Sequence, residues 1–78
     1  MDIKILGSGC VNCQNLETNT RAALTSLGRD ADVEKVTDPG EIVSWGVMST
    51  PALVIDDEVV LSGRVPSVAQ LTEILAGR

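Results

Sequence analysis

Histidine, tyrosine and phenylalanine are absent from this 78-residue chain, Trp45 is its only aromatic residue, and cysteine occurs twice. Each scarcity excludes something. Without aromatic rings the core must be aliphatic, and a core this small leaves a surplus over chain entropy on the order of 3–5 kcal/mol. With no histidine, and Cys10 and Cys13 as the only thiols, the soft donors fill half of a tetrahedral zinc site. Basic residues are few: six Lys and Arg against eleven Asp and Glu leave a net charge of −5 with no basic cluster. Nucleic acid and anionic membrane surfaces are therefore poor partners. No apolar run approaches a membrane span, and the opening Asp2-Ile3-Lys4-Ile5-Leu6 is too short for a signal-peptide core. The expectation is a cytoplasmic protein, in a compartment where a cysteine pair is more often catalytic than structural.

What remains is an ordinary globular composition, 44% hydrophobic and 22% charged, expected to form one domain over residues 1–78. Asp2 to Leu6 reads as a short strand, closed by the breaker run Gly7-Ser8-Gly9. Cys13, Leu16, Ala23, Leu24 and Leu27 then share one face at helical period, and Gly28 ends that helix. Ala31 to Val36 reads as a second strand. Asp38-Pro39-Gly40-Glu41 is a helix start, with a capping carboxylate, Pro at the first turn and Glu three residues on; Gly46 stops it.

Ala52 to Ile55, after Pro51, is a continuous apolar run suited to a strand buried on both faces. Asp56-Asp57 is a turn and Val59-Val60-Leu61 returns as the hairpin partner. Ser67 and Gln70 make a capping box before a final helix whose stripe is Val68, Leu71, Ile74 and Leu75; Gly77 closes it. The order β-α-β-α-β-β-α predicts an α/β fold. A right-handed crossover joins the first two strands, the hairpin adds to them, and three helices flank a four-stranded mixed sheet.

The chemistry falls on Cys10-Val11-Asn12-Cys13, at the junction of the first strand and first helix. Unpaired N–H groups and the helix dipole there favour a thiolate, the form that attacks disulfides. Helical spacing puts Cys13 on the buried stripe with Leu16 and Cys10 at the exposed cap, so Cys10 is the attacking thiol and Cys13 the resolving one. A purely structural staple is a poor alternative. Closing so short a loop removes only about 2 kcal/mol of chain entropy, against nearly 5 for a long one. The competing chemistry is a thiolate metal-binding or carrier module built on the same two cysteines. Small heavy-metal-associated domains carry Cys-x-x-Cys at a similar junction, but they end in a strand, and Ser8 stands where they usually have Met.

Trp45-Gly46-Val47-Met48-Ser49-Thr50-Pro51-Ala52-Leu53-Val54-Ile55 resembles the thioredoxin segment leading into its proline-initiated strand. With Gly7-Ser8-Gly9-Cys10-Val11-Asn12-Cys13, the whole chain resembles the small thioredoxin/glutaredoxin-like redox-active disulfide proteins. A Cys-x-x-Cys near a βαβ pattern is the redox motif by which thioredoxin-like proteins are ordinarily known. The resemblance implies a thioredoxin-like fold and a dithiol–disulfide oxidoreductase. It also implies a cis Pro51 packed against the cysteines, with Thr50 offering its backbone to an extended substrate, and Gly9, Val11, Asn12 and Gly63 in support. The substrate would be a protein or small-molecule disulfide and a separate disulfide reductase the electron donor, with no metal or organic cofactor.

The chain departs from the family in four places. Gly9 replaces a Trp, Val11-Asn12 replaces Gly-Pro, and Arg64 follows Gly63 where glutathione-binding relatives have a second Gly. Lys4 occupies the position of a buried Asp, so the usual proton acceptor for the resolving thiol is missing. Lys4 is expected to extend outward rather than toward the thiols, and Trp45 to pack chiefly in the core.

Overall fold

Strand β1 (Asp2–Leu6) forms because Ile3 and Ile5 point to one side of the pleat and Lys4 and Leu6 to the other. Both sides find cover, as a computed structural model of all 78 residues shows. The order is β1, α1 (Val11–Leu27), β2 (Asp32–Val36), α2 (Pro39–Ser44), β3 (Ala52–Ile55), β4 (Glu58–Ser62), α3 (Val68–Ala76). The sheet runs β2-β1-β3-β4, with β1 parallel to β2 and antiparallel to β3, and β3 antiparallel to β4. This is the thioredoxin-like mixed sheet expected.

Two strands differ from expectation, by one residue at each altered end. β2 starts at Asp32, not Ala31, because Asp32 pairs with Asp2, where β1 begins. β4 gains Glu58 and Ser62, which pair with Ile55 and Ala52 at the two ends of β3. The β3–β4 turn is Asp56-Asp57, both at positive φ (48° and 65°), a conformation that Asp tolerates better than most side chains.

One face of the sheet carries Ile3, Ile5, Leu53, Ile55 and Leu61, packed under α1 (Leu16, Ala23, Leu24) and α3 (Leu71, Leu75). The other carries Leu6, Val36, Ala52 and Val54 beneath Ile42 of α2, with Trp45 and Val47 at its margin. Every residue of β3 is fully buried, as its unbroken apolar run requires. On α1 the buried Thr20 sits in the apolar stripe; its hydroxyl donates to Leu16 O at 2.7 Å, so burial leaves nothing unpaired. Arg29 Nη1 donates to Leu75 O at 2.6 Å and Asn19 Nδ2 to Pro66 O at 3.0 Å, tying the ends of α3 to α1. Together these place the start of α1 at one end of the sheet, beside the loop that enters β3.

Candidate active site

Gly28 and the apolar stripe hold the far end of α1; its near end is built around sulfur. Cys10 is the N-cap, in extended backbone (φ −68°, ψ 167°), and its Sγ accepts from Cys13 N at 3.3 Å. Its carbonyl accepts the first helical bond, from Gln14 N at 3.0 Å. Cys10 and Cys13 are joined as a disulfide across the first turn, Cα to Cα 5.1 Å. The two are unequal: Cys10 is exposed, whereas Cys13 is 5% exposed and lies on the stripe with Leu16.

Beneath the disulfide lies Gly7, which by sequence alone is no more than a strand breaker. A Cβ at Gly7 would overlap Cys13 Sγ and sit 3.9 Å from Pro51 Cα. Gly7 is thus the spacer that leaves room for the Cys13 sulfur, with Pro51 in ordinary contact distance of the same point. The Thr50–Pro51 bond is cis. Pro51 is buried and its carbonyl accepts from Gly63 N at 2.8 Å, while no backbone–backbone bond engages the exposed Thr50. Gly63 (φ 76°) is close enough to Ser49 that an added Cβ would lie 3.0 Å from the Ser49 Cβ. Gly9 (φ 87°) needs glycine for conformation alone, as nothing crowds it. Val11 and Asn12 are exposed on the first turn of α1, Val11 at 70%. The disulfide, Gly7 and Pro51 therefore meet at one place, with Thr50, Val11 and Asn12 exposed along the chain beside them.

Two residues weighed from sequence stand elsewhere. Lys4 Nζ donates to Asp2 Oδ2 at 3.0 Å and lies 5.7 Å from the Trp45 ring centroid. The Asp2 hydrogen bond raises the Lys4 pKa, with partial desolvation opposing it and the charges of Asp2, Asp57 and Glu34 adding to it. Trp45 is half-buried against the α2-side cluster. Both belong to the face opposite Cys13.

On the α1 side, a cleft of about 100 Å³ opens beside Cys13, lined by Gly7, Gly9, Gln14, Glu17 and Lys35. Sequence reasoning does not single out Glu17 or Lys35. One signal could have found Glu17, which is one helical turn from Cys13; Lys35 is brought in only by the β1–β2 register, which pairs it with Ile5.

An exposed thiol at a helix N-terminus, bonded to a buried thiol that packs beside Gly7 and Pro51, defines a thiol–disulfide redox protein of the thioredoxin-like class. Comparison with known proteins agrees. The thioredoxin domain family matches residues 1–76. A thioredoxin of Methanothermobacter thermautotrophicus is 42% identical over 76 residues, 97% of this chain and 99% of its own length. Another, of Methanocaldococcus jannaschii, is 42% identical over 73 residues, 94% of this chain and 84% of its own. The chain belongs to the thioredoxin domain family and is a thiol–disulfide oxidoreductase. No helix is long and apolar enough to cross a membrane.

Proposed function

We propose that the chain passes electron pairs to protein or small-molecule disulfides with Cys10 as attacking thiol and Cys13 as resolving thiol. Thr50 and Pro51 receive the substrate, and Gly9, Val11, Asn12 and Gly63 shape the surface around it. The observation that carries this reading is the unequal burial of the two cysteines: Cys10 is exposed and Cys13 is 5% exposed. In the reduced protein the Cys10 thiolate, favoured by the α1 N–H groups, attacks one substrate sulfur and expels the other as a thiolate. Cys13 then attacks Cys10 Sγ. The mixed disulfide breaks, the second substrate thiol departs, and the two electrons lost by the cysteine pair reside on the substrate. A separate disulfide reductase restores the dithiol. The electrons are stored in the sulfurs, so the cycle draws on no metal or organic cofactor.

The loop before Pro51 supports the substrate role. The backbone of Thr50 carries no partner from within the chain, so an extended peptide can pair with it. The test is trapping. Cys13→Ser should accumulate mixed disulfides with substrates and Cys10→Ser should not. Trapping by Cys10→Ser, or equal alkylation of both thiols in the reduced protein at neutral pH, would overturn the assignment.

A further inference from the structure

The proposed cycle leaves one proton without an acceptor. Cys13 must become a thiolate to resolve the mixed disulfide, yet it is 5% exposed, and burial disfavours the charged form. The cleft beside it supplies what is missing. At about 100 Å³ it is roomy enough for water, which takes about 30 Å³ per molecule in the liquid. Glu17 lines the same cleft, at the i+4 position from Cys13 on α1, where Cβ atoms stand about 5–6 Å apart.

The Glu17 side chain is only 18% exposed, and a cation holds each of its oxygens: Arg21 Nε lies 3.0 Å from Oε2 and Lys35 Nζ 3.6 Å from Oε1. Lys35 comes from β2, across the cleft. As a bare surface contact this triad would add little stability. What it does is fix a carboxylate on the wall of the same cleft that Cys13 lines. The charged groups at the cleft are Glu17 from α1 and Lys35 from β2, with Arg21 on the outer side of Glu17. Lys4 of β1 is turned to Asp2 and Trp45 on the opposite face, and residues 47–55, which lead into and form β3, contain no ionisable side chain.

We propose that Glu17 is the proton acceptor for Cys13, through water in this cleft, and that Lys35 and Arg21 are positioning residues for its carboxylate. The inference rests on the reading that Cys10 attacks and Cys13 resolves. In the resolving step the Cys13 S–H proton passes by water to the Glu17 carboxylate. Cys13 Sγ bonds to Cys10 Sγ, the bond from Cys10 to the substrate sulfur breaks, and the substrate leaves as a thiolate. That thiolate is protonated from solvent, and Glu17 returns its proton to solvent. The cysteine pair loses two electrons and the substrate gains them.

A mere neighbouring charge would act in the opposite sense. A carboxylate this near a forming thiolate disfavours it, so removing the charge would speed resolution. An aromatic disulfide reagent with a coloured leaving thiolate reads the two steps in turn under single-turnover conditions: Cys10 attack releases the first thiolate and Cys13 resolution the second. Wild type should give both and Cys13→Ser the first alone. Glu17→Gln should keep the first rate and slow the second about 10²-fold at neutral pH, the gap closing at high pH as hydroxide takes the proton. The isosteric pair E17D and E17N guards against misfolding: E17D should retain most of the second rate and E17N should match E17Q. An unchanged or faster second release in E17Q, or equal slowing in E17D and E17N, overturns the role of Glu17. A Cys13→Ser variant that releases no thiolate while Cys10→Ser releases one overturns the order of the cysteines, and this inference with it.

Discussion

Helices α1 and α3 pack together on one face of the sheet, yet they begin in opposite ways. α3 opens with a complete capping box: Ser67 Oγ accepts from Gln70 N at 3.2 Å, and Gln70 Oε1 accepts from Ser67 N at 3.0 Å. α1 opens with Cys10, whose sulfur, a weak acceptor, takes Cys13 N at 3.3 Å, and no acidic residue stands in its first turn. Both ends expose the same unpaired N–H groups. At α3 a hydroxyl and an amide satisfy them for stability. At α1 the same donors are left to a sulfur whose charged form they favour, so a stronger cap is given up for a reactive thiolate.

The comparison breaks first at Gly7. Gly7→Val puts a side chain where Cys13 Sγ lies in the disulfide, an overpacking worth about 1–3 kcal/mol. The loss should be larger in the oxidised protein than in the reduced one, where the freed Cys13 side chain can turn away. Denaturant unfolding of both forms measures this, and equal losses would show that the contact is not with the disulfide. No such change at the start of α3 should distinguish the two redox forms.

Next in size is the exchange of roles between the two caps. Ser67→Ala removes half of the capping box and should cost about 1 kcal/mol without altering alkylation of Cys10. Cys10→Ser, compared with the reduced wild type, should keep or raise stability, since Ser is a favoured N-cap, while abolishing disulfide exchange. A Cys10→Ser variant destabilised by as much as Ser67→Ala would contradict the view that α1 is capped for reactivity.

The smallest effect concerns Lys4, on the face away from the site. Its pKa is raised in the folded protein, chiefly by the Asp2 hydrogen bond. The stability it contributes is therefore fully present below the unfolded-state lysine pKa and is lost as pH rises through the higher folded value. Lys4→Met should remove a small increment from the neutral-to-alkaline stability profile, seen as flattening above the ordinary lysine range. The rate at which Cys10 is alkylated should not move, and a change there would mean that the second face does reach the site.

Much of this architecture is legible in the sequence because its causes are local. The Asp38 cap, with its side chain accepting from Glu41 N at 3.2 Å, the Ser67–Gln70 box and the left-handed Gly28 are each settled within a few residues. The limits of β2 and β4 differ by one residue because the partner strand, not the segment itself, decides where a ladder ends. Thr20 escapes an apolar count because its hydroxyl is satisfied by its own helix, which lets a polar residue occupy a core position. At the site, Cys10 and Cys13 stand out through spacing and helix position, and Pro51 through resemblance. Gly7 and Glu17 do not, since a breaker glycine and a charged helix residue look the same wherever they occur.

The sequence by itself determined the elements, the apolar faces and the unequal cysteines, because periodicity, caps and turn chemistry act over one or two turns of chain. Only the tertiary structure decided that Gly7, Cys13 and Pro51 share one point, and that Glu17 on α1 and Lys35 on β2 close on one cleft. Those meetings join segments up to 44 residues apart, Gly7 to Pro51. They are set by how the helices pack on the sheet, through shape and excluded volume, which no local stretch of sequence specifies.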